Sequence, residues 1–296
     1  MYQAGLILEG GGMRGVFTAG VLDFFLDKNI EFSSCYGVSA GACNACSFLS
    51  KQKGRSYDVI ADYIGDKRYC GLYSLITTGD LFGADFLYNV IPNGLNPFDY
   101  ETFRSYRGRF YAVMTDCKTG LAVYYPVRDL KKDITAVQAS SSLPLVSRMV
   151  SVGGRKYLDG GISDSIPLRR SIKDGNRKNV VILTRSSDYR KPPFKLNSLV
   201  SLRYLAHPEL AAGIRHRSDR YNDTLDFIRS EEDKGSTFVI RPEQPIKISR
   251  IEKDPKKLRR LYREGYRCAA RHFEELLDFL NAEEIPPAKD KRQNSR

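Results

Sequence analysis

Strand and helix signals alternate through the first half of the chain, and that alternation predicts an α/β layer fold with a largely parallel sheet. Two further observations point the same way. Short apolar runs give way to glycine at residues 10–12 and again at residues 37–41, each followed by a helical pattern. Val180–Thr184 is a continuous run of the kind found in strands buried on both faces.

Taken in order, Gly5–Glu9 reads as the first strand and Arg14–Lys28 as a helix, with Val16, Phe17, Val21, Phe24 and Phe25 on one face. Cys35–Val38 is a second strand and Ala40–Leu49 a second helix. Residues 57–100, punctuated around Pro92-Asn93-Gly94, read as loops and short helices. Phe110–Thr115 and Ala122–Val127 form a strand pair joined across Lys118-Thr119-Gly120, and Val150–Leu158 a hairpin turning at Gly153-Gly154. Composition shifts at Arg190-Lys191-Pro192-Pro193, the best linker. The chain is therefore expected to divide into residues 1–190 and a mainly helical segment, 191–296. In that segment Asp254-Pro255 sets an N-cap acceptor before a proline at the first helical position. Leu258, Leu261, Tyr262, Tyr266, Ala269, Phe273, Leu276, Leu277 and Leu280 then form one apolar stripe. Such a stripe can serve a membrane surface or a partner, but packing on its own domain is the expectation. Lys289–Arg296 is expected to be a disordered polar tail. No internal repeat is visible.

The 296 residues, 42% hydrophobic and 28% charged, describe a soluble globular protein with one large domain or a domain and an appendage. No apolar run reaches the length of a membrane span. Met1-Tyr2-Gln3-Ala4-Gly5 leads into Leu6-Ile7-Leu8 without the basic flank of a secretory signal. Six cysteines, at 35, 43, 46, 70, 117 and 268, are scattered rather than set in a disulfide framework. These features predict a cytoplasmic protein. The net charge of +12 suits nucleic acid or an anionic membrane surface. The excess is divided between residues 1–190 and 191–296 without a concentrated stripe, so no nucleic-acid partner is expected. Peripheral contact with an anionic membrane stays open, beside the plainer reading of a solvated basic surface.

Three sites carry chemistry. Gly10-Gly11-Gly12-Met13-Arg14-Gly15 follows a strand and opens a helix, where unpaired amides and the helix dipole favour a phosphate or an oxyanion. A dinucleotide site would also need an acidic residue at the end of the second strand. The chain has Gly37-Val38-Ser39-Ala40-Gly41 there, and no Gly-Lys-Ser/Thr supports a P-loop. The second site is that same G-x-S-x-G, a nucleophile elbow in which a tight strand-to-helix turn forces Ser39 outward and small neighbours make room for it; the alternative is an ordinary glycine-rich turn. The third is Asp159-Gly160-Gly161, which ends a strand. Ser39 and Asp159 thus both lie at carboxyl ends of strands, where open α/β sheets bind ligands. Taken alone, Asp159 reads as a turn aspartate.

A serine hydroxyl is a poor nucleophile until a base takes its proton. Histidine is the usual base, but His207, His216 and His272 all lie beyond the linker in helical, charge-rich sequence. His207 or His216 would formally complete the α/β-hydrolase order of Ser, Asp, His. Against that, Ser39 follows only two strands, early for that fold, and no histidine leads the glycine loop. The simpler reading makes Asp159 the base. A carboxylate, with a reference pKa of about 3.9, is weakly basic in water and more so when desolvated. The glycine-loop amides would stabilise the oxyanion.

In that order, Glu9-Gly10-Gly11-Gly12-Met13-Arg14-Gly15, Gly37-Val38-Ser39-Ala40-Gly41 and Asp159-Gly160-Gly161 resemble the patatin-like phospholipase family, as does Ala139-Ser140-Ser141-Ser142-Leu143-Pro144. The resemblance runs from Gly5 to Arg185 and is nearest to the compact bacterial members. It implies a three-layer α/β/α fold with a mostly parallel central sheet. It further implies hydrolysis of lipid acyl esters through an acyl-enzyme, with Ser39 as nucleophile and Asp159 as base. The oxyanion hole is implied at Gly10, Gly11, Gly12, Met13 and Arg14, the amides of Gly11, Gly12 and Met13 being the best candidates. No cofactor or metal is implied. Where the family often continues with an aromatic residue and a second proline, this chain has Leu145-Val146-Ser147-Arg148. A catalytically weak relative that binds lipid or a protein is the alternative, disfavoured by the intact dyad.

Other features are read more plainly. Cys43 and Cys46, one helical turn apart on the apolar side, are expected to be packing residues rather than a redox pair. Arg14 is equally suited to hold an anionic head group or to anchor its helix. Arg185 follows a strand end, where it can face the cleft or, as expected, take part in a surface ion pair.

Overall fold

A computed structural model describes residues 1–283; the tail expected at Lys289–Arg296 lies outside them. The first half alternates as the sequence predicts: β1 (Tyr2–Leu8), α1 (Gly15–Asp27), β2 (Phe32–Val38) and α2 (Ala40–Leu49). α3 (Arg55–Tyr63), α4 (Leu72–Thr78), a π-helical stretch Phe86–Leu95 and α5 (Tyr100–Arg104) fill the expected region of loops and short helices. β3 (Arg109–Asp116) and β4 (Ala122–Pro126) pair antiparallel, and α6 (Leu130–Ser140) follows. β5 (Val150–Val152) and β6 (Arg155–Asp159) form the expected hairpin, with Gly153 and Gly154 both at positive φ, 55° and 78°. Next come α7 (Leu168–Lys173) and β7 (Asn179–Ile182).

Eight strands make one mixed, mostly parallel sheet, joined in the order β5-β6-β3-β2-β1-β7 and closed at the far edge by β8 (Thr237–Ile240). The segment after Arg190 is otherwise helical: α8 (Asn197–Arg203), α9 (Pro208–Arg215), α10 (Arg217–Asp233), α11 (Pro255–Arg271) and α12 (Phe273–Asn281). β8 gives only a four-residue signal in the sequence, which its position beside β7 supports. Among the described residues no helix is long and apolar enough to cross a membrane.

Alternation along the central strand creates the layers. Leu6 and Leu8 of β1 pack with α1, α2, α6 and α11 in the largest apolar cluster. Ile7, with Tyr36 and Val181, packs on the other face with Leu168, Tyr221 and Ile228 of α7 and α10. The apolar stripe near the C-terminus packs on this body: Leu258, Leu261, Ala269, Leu276 and Leu280 are buried. It is divided between two helices at His272. α11 lies so close to α1 that a side chain at Gly265 would strike the carbonyl of Phe17.

One feature of the sheet positions the site. Val113 of β3 pairs with both Val38 of β2 and Tyr124 of β4, and Met114 with both Val123 of β4 and Asp159 of β6. Because a strand has two edges, β2 and β6 share the edge opposite β4. β2 runs parallel to β3 as far as Val113, and antiparallel β6 takes over at Met114. The C-terminal ends of β2 and β6 therefore meet head to head.

Candidate active site

Ser39 stands at that junction. Its backbone, with φ 55° and ψ −124°, lies in a region that costs a non-glycine residue about 1–3 kcal/mol, and α2 begins at the next residue. The turn is held on both sides. The Ser39 amide donates to Ser140 Oγ at 2.9 Å, and Ser140 Oγ donates to the Val113 carbonyl at 2.6 Å. The Ser39 carbonyl accepts the first α2 bonds, from the amides of Ala42 and Cys43. The flanking glycines have the steric role expected of an elbow: a side chain at Gly41 would strike the Leu8 carbonyl, and one at Gly37 would come within 2.6 Å of Ala42 Cα.

Asp159 is 2% exposed and fixed at every backbone position. Its amide donates to the Ser142 carbonyl at 2.8 Å, its carbonyl accepts from Thr115 Oγ1 at 2.9 Å, and Oδ1 accepts from the Gly161 amide at 2.7 Å. Oδ2 is buried without a hydrogen-bond partner. A buried carboxylate oxygen left unpaired is costly, and this one lines the same cavity as Ser39, of about 190 Å³. Ser39 and Asp159 are thus brought into one site without being hydrogen-bonded to each other; such bonds are often long in free enzymes.

The glycine loop lines that cavity too, but not all of its amides are available. Met13 donates its amide to the Arg250 carbonyl at 3.1 Å, and Arg14 donates to Gly11 O at 3.3 Å. Of the five amides expected to serve an oxyanion, these two are already engaged. Those of Gly10, Gly11 and Gly12 have no acceptor among the described residues. Glu9, just before the loop, is buried and tied to distant elements. Its Oε2 accepts from the Thr184 amide at 2.6 Å and from Thr184 Oγ1 at 3.0 Å, and its Oε1 from Tyr221 OH at 2.6 Å.

The cavity has two unlike walls. On the α1/α2 face, Val59, Ile60, Leu87, Ile91, Leu130 and Val137 give it an apolar side. Arg14, at the start of α1, lines the cavity together with Arg185, Lys191, Arg217 and Arg250, which give it a cationic side; of these Arg217 begins α10 and Lys191 lies over Tyr221 of α10, on the other face of the sheet. Arg185 stacks on Tyr189 at 4.4 Å and Lys191 on Tyr221 at 4.0 Å. Burial holds Arg14 down to about 10, with Arg185 and Arg250 adding to the effect. Burial and then Arg217 and Arg250 hold Lys191 down to about 7. The expectation of a surface ion pair for Arg185 is corrected: it faces the cavity and rests on an aromatic ring.

Comparison with known proteins shows the family. The profile of patatin-like phospholipases matches residues 6–171. The chain belongs to the patatin-like phospholipase family. A second profile, a domain of unknown function (DUF6363), matches residues 207–281. The chain is 30% identical over 288 residues to the uncharacterized protein YjjU of Escherichia coli, covering 95% of this chain and 80% of YjjU. It is 25% identical to the probable lipid hydrolase 463L of Invertebrate iridescent virus 6, covering 64% of this chain and 73% of that protein. It is also 25% identical to the lysophospholipase NTE1 of Kluyveromyces lactis over 64% of this chain, which corresponds to 13% of NTE1. Membership in the patatin-like family implies a lipid substrate.

Within the patatin-like match, the sequence motifs identify Ser39, Asp159 and the glycine loop, and the fold brings all three to one cavity. The supporting residues are not in those motifs. Thr115, Thr184 and Tyr221 act through hydrogen bonds that depend on tertiary register, and Ser140 is visible only within the serine run that resembles the family. The nearest signal for the cationic wall is the place of Arg185 just past the end of β7, where open α/β sheets take ligands. The three histidines lie elsewhere: His216 meets Asp219 and His272 meets Glu275, both on exposed surface, and His207 begins α9. Cys46 is buried and Cys43 lies against Tyr88 and Ser141 at the cavity wall, consistent with packing.

Proposed function

We propose that this protein is a serine lipid acyl hydrolase in which Ser39 is the nucleophile and Asp159 the general base. The observation that carries this reading is the unpaired Oδ2 of Asp159, buried in the same cavity as a serine held in a strained elbow. Asp159 Oδ2 takes the proton of Ser39 Oγ as Oγ attacks the ester carbonyl. The oxyanion of the tetrahedral intermediate is met by the amides of Gly11 and Gly12, with Gly10 beside them, supported by the N-terminal potential of the following helices. Collapse breaks the bond to the alcohol, which leaves with the proton from Asp159. A water molecule, deprotonated by Asp159, then attacks the acyl-enzyme, releasing the fatty acid and restoring Ser39. The apolar wall receives the acyl chain.

The same reading brings the protein to an anionic lipid surface. Leu72 and Ile76 of α4 and Leu199, Leu202 and Leu205 in and after α8 are exposed. The two regions are joined through residues 145–148: Leu81 N donates to Val146 O, Arg148 N to Asp80 Oδ1, and Leu145 N to Tyr204 OH. Leu143, two residues before that bridge, lines the cavity. Exposed apolar side chains with Arg148 and Arg203 nearby suit an interface with negatively charged headgroups.

The test is hydrolysis of a panel of phospholipids, lysophospholipids and neutral glycerides by the wild type and Ser39→Ala in parallel. Release of fatty acid by the wild type is expected to fall at least about a thousandfold in the variant, as when a nucleophile is removed. Equal activity in the two would overturn the mechanism. Replacing His207, His216 and His272 together by Gln should spare turnover; loss of it would require a histidine base. Binding of lipid by the wild type without turnover would favour the alternative of a catalytically weak relative.

A further inference from the structure

The reading of the cavity as a lipid ester site leaves one of its walls without a role. Arg14, Arg185, Lys191, Arg217 and Arg250 line it, against two carboxylates, Glu9 and Asp159. None of the five makes a salt bridge to a carboxylate among the described residues. Elsewhere in the chain, Arg170 is paired with Asp174, Arg190 with Asp226 and Arg241 with Glu232. The two carboxylates in the cavity offset this charge only in part. Both oxygens of Glu9 are taken by Thr184 and Tyr221 and Asp159 Oδ1 by Gly161, while Asp159 Oδ2, without a hydrogen bond, offers Arg217 an opposite charge but no direct pair. Arg14 is 6% exposed and its Nε is buried without a partner, as is the Nε of Arg217.

Burying unpaired guanidinium groups beside one another costs folding free energy. Such clustering fits a site for an anion. Its position says which part of the substrate the anion belongs to. The acyl wall is built on the cluster of the α1/α2 face. Two of the cations come from or rest on the opposite face: Arg217 begins α10, and Lys191 lies over Tyr221, a member of the second cluster. Ser39 lies at the end of β2, between them. With an acyl chain on one side of the scissile ester, the charge must be carried on the alcohol side.

We infer that this protein selects glycerophospholipids with a net negative headgroup, and that Arg14, Arg185, Lys191, Arg217 and Arg250 hold the headgroup phosphate. The inference rests on the hydrolase reading for its acyl side. Phosphate oxygens match guanidinium donors in number and geometry. A choline or ethanolamine headgroup carries its own cation into a wall of five others and is disfavoured by repulsion. The part of the chain outside the patatin-like match supplies four of the five residues, so headgroup choice is assigned to the region the catalytic motifs do not cover.

The experiment uses full-length protein carrying Ser39→Ala, so that binding is read without turnover. Titration calorimetry compares dihexanoyl phosphatidylglycerol, dihexanoyl phosphatidylcholine and inorganic phosphate, the lipids below their micelle concentration so that surface charge plays no part. Phosphatidylglycerol is expected to bind about tenfold or more tighter than phosphatidylcholine, as for hydrogen bonds to charged groups, and phosphate to compete with it. Adding Lys191→Gln and Arg217→Gln should erase the difference. Thermal melts of these variants should show no loss of stability, since cations in excess of the cavity's two carboxylates are being removed; Lys191→Gln alone, should the double variant fail to fold, is expected to reduce the preference several-fold. Equal binding of the two lipids, or a preference that survives in the variants, would overturn the inference. Phosphate binding without discrimination between the lipids would assign the site to free phosphate and overturn the lipid assignment. Wild-type turnover of p-nitrophenyl butyrate is measured separately: its absence would sink the hydrolase reading and leave the binding result standing.

Discussion

Two arginines on the same cavity illustrate how different its walls are. Arg55, on the apolar side, is tied to the fold: its Nη2 donates to the Asn96 carbonyl at 3.1 Å, its Nη1 to Ser47 Oγ at 3.4 Å, and its guanidinium lies 5.0 Å over Phe98, although its Nε, like that of Arg217, has no partner. The guanidinium of Arg217, on the cationic side, has no hydrogen-bond acceptor among the described residues, and its charged neighbours are Asp159, Arg250 and Glu9. A cation that already has its acceptors serves structure. One whose guanidinium has no hydrogen-bond acceptor is available to something that arrives from outside. The apolar wall thus belongs to the packed body of the protein, and the cationic wall holds side chains without hydrogen-bonded carboxylates, which the inferred headgroup phosphate would supply.

The dyad stands between the walls, and removing its base is the largest expected effect. Asp159→Asn should lower kcat on any ester by at least about a hundredfold, the low end for loss of a general base, while the preference among headgroups is kept. Steady-state kinetics on phosphatidylglycerol and phosphatidylcholine would show this; a change in preference with kcat intact would mean that the carboxylate acts on the headgroup instead.

Substituting the two arginines separately tests the contrast itself. Arg217→Gln should cut kcat/KM for an anionic phospholipid by about tenfold through the loss of a charge-assisted hydrogen bond, without lowering the melting temperature. Arg55→Gln should do the reverse, costing about 1–2 kcal/mol of stability as its acceptors lose their donor and leaving headgroup preference in place. Similar behaviour of the two variants, in kinetics and melting alike, would erase the distinction between the walls.

Tyr221→Phe probes the seam where the walls meet. Losing the hydroxyl deprives buried Glu9 Oε1 of its donor and should cost about 1–3 kcal/mol in a urea melt. An unchanged midpoint would mean that Glu9 does not depend on α10.

The smallest expected effect is a pH slope. Lys191 faces Arg14, Arg217, Arg250, Glu9 and the ring of Tyr221, and it is held down to about 7. It is cationic below that pH and neutral above, so one of the five charges is lost as pH rises through about 7. kcat/KM for phosphatidylglycerol should fall a few-fold across that window, and the fall should vanish in Lys191→Arg, whose guanidinium stays charged. A fall of the same size in the variant would place the titration elsewhere.

How far the sequence could be read follows from how local each constraint is. The elbow is set by five consecutive residues whose steric needs are self-contained, so Ser39 is visible in the chain alone. The same holds for the Gly153-Gly154 turn and for the Asp254 cap, whose side chain accepts from the amides of Lys256 and Lys257 as expected. The meeting of β2 and β6 along one edge of β3 depends on register across more than a hundred residues, which no local pattern encodes. α6 was hidden because its first turn, Leu130-Lys131-Lys132-Asp133, is polar, although Asp129 caps it. The cationic wall was least legible: apart from Arg14 in the glycine loop, its residues are spread over 185–250 at no regular spacing, and each alone resembles a surface charge.

The central claim is that Ser39 Oγ is a nucleophile activated by Asp159, and covalent labelling tests it most directly. The protein would be treated with a lipid-like organophosphonate and the adduct located by peptide mass spectrometry. The account predicts a single adduct on Ser39, formed at least about a hundredfold more slowly in Asp159→Asn. An adduct on any other residue, or labelling of Ser39 at an equal rate in the two proteins, would contradict it.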